Sequence, residues 1–344
     1  MLSVDNQSHG SQLEYFTKGF VNYCDLEKLI YSRGKTVYEY KEGESKKIVS
    51  LHKNVFDKFL SRFPLYLRLT RSHIHHVLPV SSDNLLIFVS GGIFLIDKNQ
   101  NKIIHKTKIS GSQPLQIAIF EDKVYYGEYI RSRNKPPINL LRANPPYKNW
   151  EIVKTFDDIR HIHGVFHDPF TQSLWITTGD DDTESRIIRL NESTYEVIES
   201  IGGSQTYRAV TLLFTMDYVY YGTDTPFEKN YIYRISRETM QAERLAEVGG
   251  PVFYGTKVEN KLYFSTAWEP AKYSQSDRFE LWESDDGDRW RLKKTFKKDF
   301  WHNKLFRYGM IFFPAGPGDG KYLWYSTMAT KDEFKVFRMP VNWG

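Results

Sequence analysis

The stretch SLWITTGDDDTESRIIRL (residues 173–190) contains a pattern that recurs along the whole chain. An apolar, aromatic run ends in small residues, an acidic turn follows, and a second apolar run begins shortly afterwards. Aromatic and β-branched residues favour strands with half-buried faces. The stretch therefore predicts two adjacent β-strands joined by a polar turn.

Blocks of the same kind occur five more times, so the strand pair is a repeating unit. They are LLIFVSGG (85–92), KVYYGEY (123–129), YVYYGTD (218–224), KLYFSTAWEP (261–270) and YLWYSTM (322–328). The small residues that mark the blocks, from Val89 to Ser326, are separated by 38, 50, 45, 43 and 61 residues. A four-stranded propeller blade takes about 40–50 residues. The sequence therefore predicts an all-β protein, a six-bladed β-propeller.

The N-terminal part of the chain is expected to belong to the same single domain. Residues 1–70 are predicted to supply strands and a short helix, and residues 71–344 the propeller. The segment 28–52 either closes the ring against KVFRMPV (335–341) or forms a partial seventh blade, which would make seven blades. Apolar residues at helical spacing predict a short packing helix over 54–63, with Asn54 as its N-cap and Pro64 beyond its end.

Composition excludes several classes of protein. The 344 residues have a net charge of +5 that is spread along the chain, which gives no reason to expect a nucleic-acid partner. Cys24 is the single cysteine, which excludes an internal disulfide and a cysteine-based zinc cluster. The start lacks the layout of a signal peptide, and no apolar run is long enough to insert into a membrane. We expect a cytoplasmic protein, and the sequence leaves its oligomeric state open.

The segment SDDGDRW (284–290) resembles the Asp-box, or BNR repeat, of sialidase-like β-propellers. In that motif Ser and Asp side chains bond the local backbone of a hairpin turn and a Trp packs beneath it, so its role is structural. The stretches IRHIHGV, GTDTPFEKN and STAWEP are similar to those of a little-characterised bacterial family of BNR-repeat proteins. The resemblance implies a propeller fold and no established activity. Retaining sialidases resemble one another in an arginine triad, which this chain does not match, because Arg307 is expected to point away from the channel.

The inner strands predict a polar ring around the channel, because the first strand of each blade lines it. Aligning these strands on the apolar blocks superposes His75, Gln116, His163, Arg208, Tyr254 and Tyr308. His73 and His161 precede two of these residues by two positions, in two copies of His-Ile-His. Alternation along a strand would turn all four imidazoles toward the axis.

Acidic residues follow the second strands, where neighbouring loops converge on the channel mouth. They are Glu128, Asp180, Asp224 and Glu269. Together with the ring they supply the groups needed for acid and base chemistry on an anionic substrate. We therefore expect a carbohydrate-active enzyme acting on an acidic glycan, either a polysaccharide lyase or a glycoside hydrolase.

Roles follow from this hypothesis. The predicted catalytic residues are His75, His163, Arg208, Tyr254 and Tyr308. The predicted substrate-binding residues are Gln116, Glu128, His161, Asp180, Asp224 and Glu269. In a lyase, Arg208 would neutralise the uronate and a histidine would abstract a proton; in a hydrolase, two carboxylates would flank the bond.

Two alternatives remain open. His75, Gln116 and His163 are candidate ligands of Mn²⁺ or Zn²⁺, although no cofactor is firmly implied. A non-catalytic propeller that binds a glycan or a protein is the other alternative. Loss of His163 should abolish catalysis, whereas binding through aromatic side chains should tolerate it.

Overall fold

The protein is a seven-bladed β-propeller in the computed structural model, which describes residues 13–130, 134–270, 273 and 277–341. The polar stretch 1–10, on which the absence of a signal peptide was predicted, lies outside these residues. Each blade is a sheet of four antiparallel strands. The expectation of an all-β propeller is confirmed, and the expected number of six blades is wrong.

The blades share one strand order from the channel to the rim. The innermost strands are β2 (Phe20–Cys24), β6 (His76–Pro79), β10 (Ile117–Phe120), β14 (His161–Asp168), β18 (Ala209–Phe214), β22 (Val252–Val258) and β26 (Met310–Phe312). The second strands are β3 (Leu29–Arg33), β7 (Asn84–Val89), β11 (Lys123–Gly127), β15 (Ser173–Gly179), β19 (Tyr218–Thr223), β23 (Lys261–Thr266) and β27 (Tyr322–Met328). The third strands are β4 (Thr36–Lys41), β8 (Gly92–Asp97), β12 (Ile138–Ala143), β16 (Arg186–Leu190), β20 (Asn230–Ser236), β24 (Arg278–Ser284) and β28 (Lys335–Pro340). The outer strands are β5 (Glu44–Ser50), β9 (Lys102–Thr107), β13 (Glu151–Phe156), β17 (Val197–Gly202), β21 (Ala242–Val248), β25 (Arg291–Lys297) and β1 (Glu14–Lys18).

The seventh blade is complete and comprises residues 20–50, which form β2 to β5. The segment 28–52 is therefore neither a closing segment nor a partial blade. The prediction of a partial blade was wrong because the predicted segment began at residue 28 and left out the inner strand β2.

The first and last segments of the chain close the ring. Strand β1 pairs antiparallel with β28, in a register that places Glu14 opposite Arg338 and Lys18 opposite Lys335. The Arg338 guanidinium also donates to the Glu14 carboxylate at 2.7 Å. The segment that pairs with KVFRMPV is thus 14–18 and not the predicted segment 28–52. Closure in this way joins the two ends of the chain in one sheet and covers the outer edge of β28.

Hydrophobic cores lie between adjacent blades. In one of them Tyr125 and Ile138 of one blade pack against Val165 and Ile176 of the next, and all four are buried. Apolar residues of the second and third strands supply most of these contacts. This placement explains the repeated aromatic runs, because each blade offers an apolar face to both neighbours.

Among the described residues, three short α-helices lie outside the blades: α1 (Val55–Leu60), α2 (Pro64–Thr70) and α3 (Asn303–Phe306). Asn54 caps α1, as predicted, by accepting a hydrogen bond from the Asp57 backbone N–H at 2.8 Å. Pro64 begins α2 rather than following a single helix. The predicted packing face is wrong as well, since Val55 is 84% exposed and Phe56 68% exposed.

A buried arginine connects α2 to the last blade. Arg68 is fully buried, and its guanidinium donates to Asp299 at 2.5 Å and to Glu333 at 2.8 Å. Its Nε also donates to the backbone carbonyl of Phe306, which ends α3. The helices are thus held against the ring by a charged network. In the described part of the chain, no helix combines the length and apolar character needed to cross a membrane.

Candidate functional site in the central channel

The seven inner strands enclose a channel with a cavity of about 1400 Å³. All six ring residues predicted from the strand alignment line it, namely His75, Gln116, His163, Arg208, Tyr254 and Tyr308. Asn22 of the unpredicted blade lines it too, and neither its amide oxygen nor its amide nitrogen has a hydrogen-bond partner among the described residues. It could be recognised as a member of the ring only after its blade was known.

One His-Ile-His copy lies at the start of β14, where its two imidazoles approach each other. Their Nε2 atoms are 3.0 Å apart. His163 occupies a bulge and lines the channel, whereas His161 is buried behind it. The ring of Tyr129 stacks on His161, with centroids 4.1 Å apart. Three of the four predicted imidazoles therefore line the cavity, and His161 does not.

Local packing fixes the orientation of His163. Its Nδ1 lies 2.9 Å from the backbone carbonyl of Ala209 on the next blade, so Nδ1 carries the proton that it donates there. A Cβ atom on Gly179 would lie only 2.5 Å from the His163 ring, so only glycine leaves room for this imidazole. Burial lowers the pKa of His163, and the nearby charges of His161 and Arg208 lower it further, whereas Asp180 opposes this change. The Nε2 atom of His163 is therefore a lone-pair site that faces His161.

Asp180 and Arg208 complete a polar cluster around these histidines. The Asp180 Oδ1 atom lies 3.5 Å from His161 Nε2 and 3.4 Å from His163 Nε2. Arg208 Nη2 lies 2.9 Å from the same oxygen, and Nη1 donates to the Asp180 backbone carbonyl at 3.2 Å. Burial alone would raise the pKa of Asp180, but the neighbouring histidines and the charge of Arg208 outweigh it and lower that pKa. Asp180 is thus ionised.

Asp224 lies on the other side of Arg208 and behaves in the opposite way. It lines the cavity, it is 6% exposed, and its Oδ2 atom is 3.6 Å from Arg208 Nε. Burial raises the pKa of Asp224 to about 8, helped by the negative charges of Glu269 and Asp180 and opposed by Arg208. Its carboxyl group is therefore mostly protonated at neutral pH. Glu269 lines the same cavity.

Glu128 has a different environment from the other predicted acids. It is buried within its blade, where it accepts hydrogen bonds from the Ser110 hydroxyl and from the Asn139 backbone N–H. It is not among the residues that line the cavity. Glu128 was predicted to lie at the channel mouth because it follows the second strand of its blade, as the other acids do. Its local hydrogen bonds instead turn the carboxylate into the blade.

The other His-Ile-His copy lies beside an arginine. The rings of His73 and His75 stack with centroids 4.0 Å apart, and both line the channel. Burial lowers the pKa of both histidines, and the charge of Arg307 lowers each further, so both are neutral at pH 7. Burial also raises the pKa of Tyr254, which keeps its hydroxyl protonated.

Arg307 lines the channel, so the prediction that it points away is wrong. It directly follows α3 and precedes β26, with a positive φ of 72°. The alternation rule that was applied to it holds only inside a strand, and Arg307 lies outside one. It is a channel residue that sequence reasoning missed.

A compact group of candidate metal ligands other than the predicted one lies at β14 and the turn after β15. Among the described histidine, cysteine and acidic residues, the group whose ligand atoms approach closely enough for one ion is His161, His163 and Asp180. Only His163 belongs to both sets. His75 lies on a different blade, beside His73.

The Asp-box-like turn forms locally between β24 and β25. Ser284 Oγ accepts from the Gly287 N–H at 2.9 Å, Asp286 accepts from two backbone N–H groups, and Trp290 Nε1 donates to the Gly287 carbonyl at 3.1 Å. Gly287 has a φ of 81°, and a Cβ there would meet the Tyr220 hydroxyl of the neighbouring blade. The turn therefore serves packing between blades.

Fold and channel together define a seven-bladed β-propeller with a charged polar site at its axis. The chain is similar over 99% of its length to 99% of a chain in a structure described as the crystal structure of the mitotic checkpoint complex, with a TM-score of 0.59 and 10% identity. At that identity the likeness shows the fold alone. No protein-family profile and no curated protein match the sequence. With seven blades and no family match, the predicted membership of the sialidase-like Asp-box propellers is wrong.

Proposed function

We propose that the protein is a carbohydrate-active enzyme that hydrolyses an acidic glycan in its channel. The observation that carries the proposal is Asp224, a buried carboxyl group in the channel wall whose environment keeps it protonated near neutral pH. A general acid must hold a proton at the working pH and release it to the leaving group. Asp224 meets the first condition and faces the space where a substrate would lie.

Glycoside hydrolysis needs a second carboxylate on the other side of the bond. Glu269 lines the same cavity, and its negative charge helps raise the pKa of Asp224. In this scheme Asp224 protonates the leaving glycosidic oxygen, and Glu269 either removes a proton from the attacking water or attacks the sugar directly. The products are a new reducing end and a shortened glycan, and the water supplies both the proton and the hydroxyl group they need.

Arg307 supports an acidic rather than a neutral substrate. Its charge acts on His73, His75 and Tyr254, so the guanidinium lies near all three side chains at the channel wall. Because these histidines are neutral, Arg307 rather than an imidazolium supplies positive charge beside them. A guanidinium group binds a carboxylate through two parallel hydrogen bonds, which suits a uronate or a related acidic sugar.

A lyase mechanism is the second candidate, favoured by His75. Its Nε2 atom is buried and has no hydrogen-bond partner among the described residues, and it lies in the channel wall. A neutral imidazole of this kind can abstract the proton next to a uronate carboxylate, while the protonated Tyr254 hydroxyl gives a proton to the leaving oxygen. The bond would then break by elimination, leaving an unsaturated uronate and consuming no water.

The test is product release from a panel of acidic and neutral polysaccharides. Formation of reducing ends without ultraviolet absorbance of an unsaturated uronate indicates hydrolysis, and both signals together indicate elimination. We expect Asp224→Asn to lower the hydrolytic rate by at least ~100-fold, the usual lower bound for a general acid. His75→Ala should do so only for elimination.

The matched control is Glu128→Gln, which removes a buried carboxylate at the equivalent position of another blade, away from the cavity. Its rate should stay within a few-fold of the wild type. If the wild type binds an acidic glycan but releases no product, the channel is a binding site and the enzymatic proposal is wrong. Equal losses in Asp224→Asn and Glu128→Gln would also refute the role of Asp224.

A further inference from the structure

We infer that His161, His163 and Asp180 form a binding site for a divalent transition-metal ion in the channel wall. The inference rests on the geometry of these side chains and does not depend on the proposed glycan chemistry. It replaces the ligand set predicted from the sequence with one drawn from a single blade. Both histidines lie on β14, and Asp180 directly follows β15, its neighbour in the same sheet.

The three ligand atoms are spaced as the ligands of one ion. His161 Nε2, His163 Nε2 and Asp180 Oδ1 form a triangle with sides of 3.0, 3.4 and 3.5 Å. Tetrahedral bonds of about 2.0–2.1 Å from zinc to nitrogen or oxygen place neighbouring ligand atoms about 3.3 Å apart. An ion above this triangle can therefore reach all three atoms without a large rearrangement.

Neighbouring groups hold two of the three ligands, His163 and Asp180, in the required state, and binding of the ion would move the His161 Nε2 proton to Nδ1. Metal-bound histidines usually donate their other N–H to a carbonyl or carboxylate, which fixes the tautomer. His163 does so through Nδ1 to the Ala209 carbonyl at 2.9 Å, which leaves its Nε2 lone pair available. Arg208 approaches the Asp180 oxygen at 2.9 Å, and a carboxylate oxygen has a second lone pair for the ion. The missing side chain of Gly179 makes room for the His163 ring.

Two imidazoles and one carboxylate leave coordination positions for water or a substrate, as in catalytic zinc sites and in non-haem iron sites. Of the three ligands His163 lines the cavity, with Arg208 beside it, whereas His161 and Asp180 do not line it; the Asp180 side chain is 28% exposed. A bound ion would thus be reached from the channel. The other pair, His73 and His75, belongs to no such group with a carboxylate among the described residues. Arg307 lies near this pair, and its positive charge disfavours a cation there.

This difference supplies the control for the experiment. The purified full-length protein is first treated with a chelator and then titrated with Zn²⁺ by calorimetry, and with Co²⁺ by visible absorption. We expect one equivalent of Zn²⁺, and a Co²⁺ spectrum of a low-coordinate site with nitrogen and oxygen ligands. Asp180→Asn, which keeps the shape of the side chain, and His163→Ala should each weaken Zn²⁺ binding by more than ~100-fold. A residue that only supports a ligand typically costs about 10–100-fold when it is lost, so a larger loss identifies a direct ligand.

His75→Ala removes an imidazole from the same tripeptide in another blade and should change Zn²⁺ affinity by less than a few-fold. Thermal unfolding of each variant shows whether it is folded. Absence of stoichiometric Zn²⁺ and Co²⁺ binding to the wild type would overturn the inference, as would equal affinity in the wild type and Asp180→Asn. Metal binding without glycan cleavage would uphold the site and refute only the proposed function.

Discussion

The raised pKa of Asp224 has a measurable effect on the stability of the fold. In the unfolded chain this carboxyl group ionises near its ordinary pKa of 3.8, whereas in the folded protein it keeps its proton up to about pH 8. Between these two values the folded state binds more protons than the unfolded state. The contribution of this group to the free energy of unfolding therefore falls as the pH rises through this window.

The change Asp224→Asn removes the titration while keeping the shape of the protonated side chain. From pH 5 to pH 7.5 the wild type should lose about 3 kcal/mol at this site relative to the variant, since each pH unit inside the window costs about 1.4 kcal/mol. The unfolding entropy of a chain of 344 residues is about 0.7 kcal/mol/K. The Tm of the variant relative to that of the wild type should therefore rise by about 4 °C between the two pH values.

The assay is thermal or urea unfolding at both pH values in buffer containing a chelator, because a cation bound nearby would favour the ionised form. Asp217→Asn is the control, since Asp217 is exposed in the turn before β19 of the same blade. It should show no such pH-dependent difference. A Tm difference between Asp224→Asn and the wild type that is the same at pH 5 and pH 7.5 would refute the argument that burial keeps this carboxyl group protonated.

Two further predictions concern the way the ring is held together. Deleting residues 1–18 removes the outer strand of the last blade, so the midpoint of urea unfolding should fall, and the exposed edge of 335–340 should promote association that light scattering detects. The control is deletion of residues 1–12, which keeps that strand. Equal urea midpoints for the two deletions would contradict this account. Arg68→Ala leaves Glu333 without its buried partner, while Asp299 keeps its ion pair with Lys298, and the change should cost about 3–5 kcal/mol of unfolding free energy in urea titrations. A loss below about 1 kcal/mol would show that the network contributes little.

Much of the fold could be predicted from the sequence because six blades repeat one local pattern. Apolar and aromatic runs mark second strands such as β15 and β19, and their spacing matches a blade. The predicted boundary at residue 28 divides the blade formed by 20–50, and the ring is closed by β1 and β28, which are more than 300 residues apart. Such a long-range pairing leaves no periodic signal, so the number of blades could not be read from the repeats.

The ring of channel residues could be predicted because register within a strand is a local property. The alignment placed Arg208 and Tyr254 in the channel, where the structure has them. It failed for Arg307, which lies between a helix and a strand, and for Glu128, which local hydrogen bonds hold inside its blade. The orientation of a side chain in a loop depends on the groups it contacts. The alternation of residues along a strand does not predict which groups those are.

The two His-Ile-His copies differ because the loops of their blades differ. His161 and His163 face a carboxylate supplied by the turn after β15, so their neighbours favour a cation. His73 and His75 lie near Arg307, so their surroundings favour an anion and keep both rings neutral. One tripeptide on the same structural scaffold thus gives two chemically opposite regions of one channel. A substrate that carries a carboxylate at one end and a bond to be cleaved at the other could contact both regions at once, and this arrangement is the reason to test acidic glycans before neutral ones.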